Sequence, residues 1–419
     1  MKHELALSLC RHIKQAGGQP YVVGGFVRDL VMGREAHDVD ICIIGMTPQQ
    51  LLTAFPGIAP VGKDFPVIIV GGIEIALARI ERKIGAGHTG FICETQNVTL
   101  EEDLRRRDLT INAMAMDPFT DNIADPYGGQ MDITAQVLRP VSEHFLEDPL
   151  RVLRAARFAA QFGFKPTWEL INMCQFLHSE LASLSGERVF GELMKAMASN
   201  KPSAFFECLD MFGCLNEVFP EIADLKGRIQ PEKYHPEGDA YVHTLLVIDR
   251  ARELGADKVT MFAALVHDLG KAVTDDDNLP HHFNHEALGV PLVQQFCKRL
   301  NVPNEMRDVG VATAREHLNV HKFLELKPTT KVRLLGRLGA AHGDTLIERV
   351  TMAAQCDAQG RGPLFHDKPY PQRQAMLDAA GKFRTISGDR IVAEMSNKNP
   401  CVTGDQIRAK IEQVRAKLL

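Results

Sequence analysis

Short apolar runs rich in β-branched residues, each closed off by glycine or proline, fill the first third of this chain and then stop. They cover residues 21–23, 39–44, 67–70 and 74–78, the length and spacing expected of strands in a small sheet. A helix is predicted ahead of them over residues 4–15, closed by Gly17 and Gly18. From about Asp148 onward helical periodicity takes over, and glycine and proline retreat to segment ends. The pattern predicts an α/β head with a small mixed sheet, roughly residues 1–140, followed by all-α segments. Changes of character divide those segments at 141–230, 231–357 and 358–419, with the Gly- and Pro-bearing stretch 227–238 as the linker candidate.

The 419 residues leave room for several domains. Nine cysteines are scattered with no CxxC pair, which reads as buried free thiols in a reducing compartment and argues against structural zinc. The first fifteen residues carry charges throughout, and no stretch approaches the length of a transmembrane helix. A cytoplasmic location with no membrane partner is therefore expected. The formal net charge of -5 gives no bulk sign of a nucleic-acid partner, so local patches carry that question.

The segment Val22-Val23-Gly24-Gly25-Phe26-Val27-Arg28-Asp29 has the shape of strand, glycine turn and helix. Such a turn lets backbone approach a ligand closely, and the helix start offers N–H groups to phosphate oxygens. Arg28, one turn in, can reach the same phosphates. A turn that merely packs on its neighbour is the plainer alternative. Nine residues after Asp29, Asp38 and Asp40 stand two apart at the start of an apolar strand. Two carboxylates on one strand face repel each other unless a cation is held beside them, and oxygen ligands of this kind suit Mg²⁺. A solvated strand entry is the alternative for an isolated DxD.

Together these motifs resemble the signature of the polymerase-β-like nucleotidyltransferase superfamily, in which paired carboxylates hold the metal ions of phosphoryl transfer. The stretch Arg106-Arg107-Asp108-Leu109-Thr110-Ile111-Asn112-Ala113 is similar to the RRDxxxNA motif of the bacterial CCA-adding enzymes. Asp125-Pro126-Tyr127-Gly128-Gly129 and Glu147-Asp148-Pro149-Leu150-Arg151 follow, with Arg154 and Arg157 beyond. The likeness runs nearly end to end and resembles the multifunctional branch found in proteobacteria. It implies the nucleotidyltransferase fold for the head and neck, body, HD and tail segments after it. It implies that Asp38 and Asp40 are catalytic and bind Mg²⁺, and that Gly25, Arg28, Arg107, Asp148, Arg151, Arg154 and Arg157 bind CTP or ATP. An acceptor-only Asp148 beside a donor-only Arg151 complements the amine and ring nitrogen shared by C and A, and repels the carbonyls of G and U. The plainer alternatives are that Asp148 caps a helix and that the arginines form a salt-bridged face. The glycines Gly85, Gly87 and Gly90 suggest the mobile loop that lets this family's pocket change from C to A.

Histidines concentrate between His235 and His321. His243, the pair His267-Asp268 at the end of an apolar helix stopped by Gly270, and Asp357 resemble the HD phosphohydrolase superfamily. Those four are the implied ligands of a transition metal such as Ni, Mn, Co or Zn. His281, His282, His285 and His317 are weaker candidates, with His281 and His282 read as surface loop residues. A domain kept only as scaffold is the alternative.

The resemblance implies addition of CCA to tRNA 3' ends from CTP and ATP, with 2',3'-cyclic phosphodiesterase, 2'-nucleotidase and phosphatase activity in the HD domain. The implied partners are tRNA and the two nucleotides, in a monomer or homodimer. Poly(A) polymerases share the glycine turn and carboxylates, but residues 61–67 and the lack of a strongly basic tail favour the CCA branch. A partial adder of CC or A alone, and a non-catalytic RNA-binding protein on the same scaffold, are the remaining rivals.

Overall fold

The computed structural model describes residues 2–36, 38–61, 66–83, 91–386, 391–393, 395 and 403–418. The chain forms two compact units, Met1–Leu184 with Cys208–Cys214 and Ser185–Glu207 with Leu215–Leu419.

In the first unit α1 (Lys2–Gln15) leads into β1 (Gln19–Val23), α2 (Gly25–Val31) and β2 (Asp40–Ile44). Next come α3 (Pro48–Ala54), β3 (Ile68–Val70), β4 (Ile73–Leu77) and the hairpin strands β5 (Ile80–Lys83) and β6 (Phe91–Glu94). Then follow α4 (Leu100–Arg105), β7 (Ala115–Met116), β8 (Ile123–Ala124), α5 (Gly129–Ala135), β9 (Val137–Leu138), α6 (Leu150–Phe162), β10 (Lys165–Pro166) and α7 (Trp168–Phe176). The central sheet runs β3-β4-β2-β1-β7-β8. The β2–β4 pair is parallel and the other pairs are antiparallel, so the sheet is mixed as expected. Each strand read from the sequence lies within a residue or two of its observed place. Residues 62–65 of the 61–67 motif and the glycine segment 84–90 fall outside the described residues.

Alternation along β2 sorts its side chains. Ile41 and Ile43 enter a large aliphatic core with Leu9 and Ile13 of α1, Val27 of α2 and Leu51 of α3. Cys42 joins a smaller cluster on the other face with Val23, Leu104, Ala113 and Ala115. Asp40, two residues before Cys42, belongs to this second face, where only short elements pack.

The second unit is helical. Asp239 caps Ala240–Glu253 by accepting from Tyr241 N at 2.8 Å, and Asp257 caps Lys258–Val266 by accepting from Thr260 N at 2.7 Å. Lys258–Val266 is buried along its length from Val259 to Val266. A run of phenylalanine rings links Phe190, Phe262, Phe296 and Phe219 to Phe205 and Phe206, with centroids 5.3–6.3 Å apart. The stretch 227–238 folds into this unit, since Gln230 N donates to Gly238 O at 2.7 Å and Gln230 is buried.

Gly270 does a different job from the helix stop expected of it. The helix already ends at Val266, and the 3-10 turn Leu269–Val273 carries Gly270 against the start of the helix His285–Arg299. A Cβ on Gly270 would stand 1.9 Å from His285 O and 2.6 Å from Gly289 N, both backbone atoms. Gly270→Ala should therefore lower the unit's stability by about 1–3 kcal/mol or more. Gly336→Ala, in a helix with open space around it, should be neutral or raise stability by up to about 1 kcal/mol. Urea midpoints of the two variants, compared with the parent, check both expectations.

Candidate functional site

The sheet places three carboxylates together at the head. Asp40 opens β2, while Asp38 lies just before the strand and is exposed. The parallel register sets Asp40 directly beside Glu74 of β4, and the antiparallel one sets it beside Val23. Partners across a register point to the same face, so Glu74 joins Asp40 on the thinly covered side. Burial is the main force raising the Asp40 carboxyl, and Glu74 and Asp38 add to it against the pull of Arg107, leaving it at about 6. A cavity of about 220 Å³ on this face is lined by Asp40, Glu74, Arg79, Asp103, Arg106 and Arg107, among others. Carboxylates crowded in this way are a donor set that suits a divalent cation.

Around them runs a network of arginines and buried acids. Asp103, 1% exposed, takes Nη2 of Arg106 at 2.7 Å and Nη2 of Arg107 at 3.1 Å. Burial opposes its charge, but the two guanidiniums outweigh that and hold the carboxyl at about 2. Asp108 receives Nε of Arg154 at 2.7 Å and Nδ2 of Asn112 at 3.0 Å, which hold it well below the usual carboxylate range despite full burial. Asn112 in turn accepts from Nη1 of Arg28 at 2.6 Å.

The glycine turn meets this network. Gly24 has φ +73, and a Cβ there would come within 3.0 Å of Arg107 Nη1; at Gly25 it would come within 3.5 Å of Arg28 Nη2. Both guanidiniums thus lie directly against the turn. Arg28 is 7% exposed, paired with Asp29 and seated over the rings of Phe158 and Phe162 at 5.2 and 4.8 Å. Just ahead of α6, Asp148 Oδ1 accepts from Leu150 N at 3.0 Å, with Pro149 at the N-cap position. Arg151 donates to His144 O at 2.5 Å and to Arg106 O at 2.8 Å, Arg154 pairs with Asp108, and Arg157 donates to Gln161 Oε1 at 3.1 Å. Arg154 is thus salt-bridged while Arg151 meets backbone carbonyls and Arg157 a glutamine, and the same contacts draw Arg28, Arg107, Arg151 and Arg154 into one constellation.

The second unit gathers the other candidates around Asp268. His267 caps its helix and Asp268 follows, 1% exposed each. His243 Nε2 lies 3.1 Å from Asp357 Oδ1 and 3.6 Å from Asp268 Oδ2, and His267 Nε2 lies 3.1 Å from Asp268 Oδ2. The four expected ligands thus come together. His285 and His317 join them, with Nε2 atoms 3.5 and 3.6 Å from Asp268 Oδ1. Burial disfavours the charged form of His267, yet Asp268 and Asp357 outweigh it and raise its pKa. Burial pushes His317 down to about 3. Lys271 Nζ sits 2.5 Å from Asp268 Oδ2, and Arg361 3.1 Å from Asp357 Oδ1. His281 is exposed, whereas His282 is tied to Thr274 Oγ1 at 2.7 Å and to Ile229 O at 3.1 Å. A cavity of about 770 Å³ opens here, lined by Lys271, His285, His317, His321, Asp357 and Arg361, among others. His243 and His267 Nε2 and Asp268 Oδ1 are buried without a hydrogen-bond partner, which fits a donor set for a cation.

A mixed-sheet head with paired carboxylates, together with a helical unit carrying an H…HD…D cluster, defines a nucleotidyltransferase that bears an HD domain. Family models agree: a poly A polymerase head domain matches residues 20–139, a probable RNA and SrmB-binding site of polymerase A residues 163–226, and an HD domain residues 240–338. The multifunctional CCA protein of Vibrio vulnificus strain YJ016 is 43% identical over 95% of this chain and 99% of its own length. That of Nitrosococcus oceani is 42% identical over 95% and 97%. The crystal structure of the Bacillus stearothermophilus CCA-adding enzyme in complex with CTP superposes with a TM-score of 0.67 at 24% identity, covering 98% of this chain and 91% of that one, and shares the fold. The chain belongs to the multifunctional CCA protein family. Among the described residues no helix is long and apolar enough to cross a membrane.

Glu74, Asp103, Asp108 and Glu237 carry the geometry without having been assigned roles from the sequence. Glu74 left one trace, a carboxylate opening an apolar strand as Asp40 does. Because Asp40 is raised to about 6, the ionised form that a cation needs is lost as pH falls through that value. Divalent-cation affinity of the head should drop by up to about tenfold per pH unit below about 6. Glu74→Gln removes a negative neighbour, lowers the Asp40 pKa and should move the break to more acid pH. Mn²⁺ titrations followed by electron paramagnetic resonance, in a His267→Ala background to suppress the second unit's site, measure both; an unmoved break would remove Glu74 from the site.

Proposed function

We propose that the head completes tRNA 3' ends by adding C, C and A without a template, with Mg²⁺ held at Asp38 and Asp40. The carrying observation is 43% identity to a multifunctional CCA protein across 95% of this chain, which favours this reading over a poly(A) polymerase sharing only the head. In the step itself the terminal hydroxyl oxygen of tRNA bonds to the α-phosphorus of CTP or ATP. The α–β bond breaks, pyrophosphate departs and the hydroxyl proton is lost. Bound cations would acidify that hydroxyl and neutralise the pyrophosphate.

Gly25, Arg28 and Arg107 face the triphosphate, a role supported by the two guanidiniums lying against the glycine turn. Asp148 and Arg151 read the amine and ring nitrogen common to C and A, and Arg154 and Arg157 bind the nucleotide behind them. The hydrogen bonds of Arg151 to two backbone carbonyls support a rigid reading edge. The intact carboxylate trio speaks against a purely RNA-binding scaffold, since a binder has no use for crowded acids. We place the catalytic head at residues 1–140, a neck and body gripping tRNA by shape at 141–230, the HD domain at 231–357 and a tail at 358–419. The enzyme works in the cytoplasm.

The HD domain hydrolyses phosphoesters (2',3'-cyclic phosphates, 2'-nucleotides and phosphomonoesters) with a transition metal such as Ni, Mn, Co or Zn. Its ligands are His243, His267, Asp268 and Asp357.

Purified protein given tRNA lacking its 3' end, labelled CTP and ATP, and Mg²⁺ should extend the tRNA by CCA, whereas Asp38→Ala should lose at least about 10³-fold in rate. No incorporation by the parent chain, or ordinary incorporation by Asp38→Ala, would sink the proposal. Runs of A point instead to a poly(A) polymerase, and CC or A alone to a partial adder. For the HD domain, hydrolysis of a 2',3'-cyclic nucleotide should require added metal and vanish in His267→Ala; unchanged hydrolysis by that variant would refute the ligand assignment.

A further inference from the structure

Two phenylalanines stand where the two sides of the proposed nucleotide pocket meet. Phe158 and Phe162, one turn apart on α6, lie nearly parallel, with ring centroids 5.6 Å apart and planes 7° apart. Phe158 is only 3% exposed, yet cations gather around its ring. The guanidinium carbon of Arg157 sits 4.0 Å from its centroid, that of Arg28 5.2 Å and that of Arg154 5.5 Å. Phe162 receives Arg28 at 4.8 Å and Arg34 at 5.1 Å. Guanidiniums from α6, from α2 and from just beyond α2 thus share these two rings.

Cations brought this close repel one another, and burial makes each charge costlier. Asp29 and Asp108 answer part of that cost through Arg28 and Arg154. A carboxylate, however, neutralises a guanidinium and takes up its N–H groups. A ring face attracts the guanidinium through its quadrupole and leaves the N–H fork to a ligand. At the position of Phe158 a ring therefore steadies the arginines and keeps the site cationic. The placement is also selective. Arg28 follows the glycine turn on α2, while Arg154 and Arg157 share α6 with Arg151. Phe158 accordingly touches arginines of both the triphosphate side and the base side.

We propose that Phe158, with Phe162 behind it, is a positioning residue for the incoming nucleotide. Its ring holds Arg28, Arg154 and Arg157 in place by cation–π attraction while leaving their charge to the nucleotide. The inference rests on the reading of those arginines as nucleotide ligands and adds the group that orients them. The ring meets no base itself, so it serves CTP and ATP alike.

Fluorine withdraws electron density from a ring face while hardly changing its shape, so a fluorinated series separates cation–π attraction from packing. The full chain carrying mono-, di- or trifluorophenylalanine in place of Phe158, introduced by stop-codon suppression, is assayed on tRNA lacking its 3' end and on tRNA ending in CC. KM for CTP and for ATP should rise with each fluorine, reaching about tenfold in the trifluoro protein. The kcat should stay within about twofold and the thermal midpoint should not move. The same series at Phe162, read through its Arg28 contact, gives the measurement should replacement of Phe158 prevent folding. A KM that stays flat in folded protein, or that rises only as the thermal midpoint falls, overturns the proposal and leaves the ring as packing. Arg28→Met and Arg157→Met separate that failure from failure of the nucleotide reading. If they raise KM while the fluorinated series is flat, the ring's role alone is overturned; if they too leave KM unchanged, both readings fall.

Discussion

A carboxylate taken out of water must find positive charge, and both units of this chain are arranged around that demand. Asp103 and Asp108 in the head, and Asp268 and Asp357 in the helical unit, are all nearly or fully buried. Leaving one of them unpaired costs roughly 3–5 kcal/mol, so the elements bearing their partners are not free to move. In the head the partners come from one short stretch and one helix. Arg106 and Arg107 close on Asp103, and Arg154 of α6 closes on Asp108. The Asp103 pairs close the end of α4 on itself, and the Asp108 pair ties the segment just beyond it to α6.

The helical unit meets the same demand in a different way. Lys271 and Arg361 balance part of the charge on Asp268 and Asp357, but the remaining neighbours are imidazoles, three of which turn Nδ1 to backbone carbonyls while His243 turns it to Glu237. That donor set suits a divalent cation. The head surrounds its buried acids with arginines, and the helical unit surrounds its own with imidazoles. Glu237 stands behind His243, its Oε1 2.6 Å from Nδ1, the place that carboxylates take behind metal-binding histidines.

Four strands were legible because apolar β-branched runs closed by glycine or proline mark them, and the switch to helix at about Asp148 was legible because the period changes. The hairpin strands β5 and β6, where charged residues and glycines suggested a loop, were not legible. β7 and β8 were not, being two residues long and held only by pairing with distant partners. Glu74 stayed hidden for a related reason: nothing near it in sequence mentions Asp40, and only the parallel register of β2 and β4 makes them neighbours. Asp38 and Asp40 were found as a motif, but their inequality was not, since the strand begins at Asp40 and leaves Asp38 in solvent. His285 and His317 look like stray histidines because 32 residues and a helix separate two side chains whose Nε2 atoms lie 3.2 Å apart. Gly270 was misread because a sequence shows that a glycine is present, not which backbone is passing it.

The contacts around α6 and the nucleotide roles proposed for its residues are compatible. A reader that works without a template must hold its hydrogen-bonding edge still, because no base pair corrects its geometry. The Leu150 N–H gives Asp148 a fixed direction, and two carbonyls fix the guanidinium of Arg151. Arg154 is held by Asp108, which Asn112 and thus Arg28 also hold. The triphosphate side and the base side of the proposed pocket therefore share one rigid network. A substitution anywhere along it would disturb nucleotide choice as well as stability, which is what a template made of protein requires.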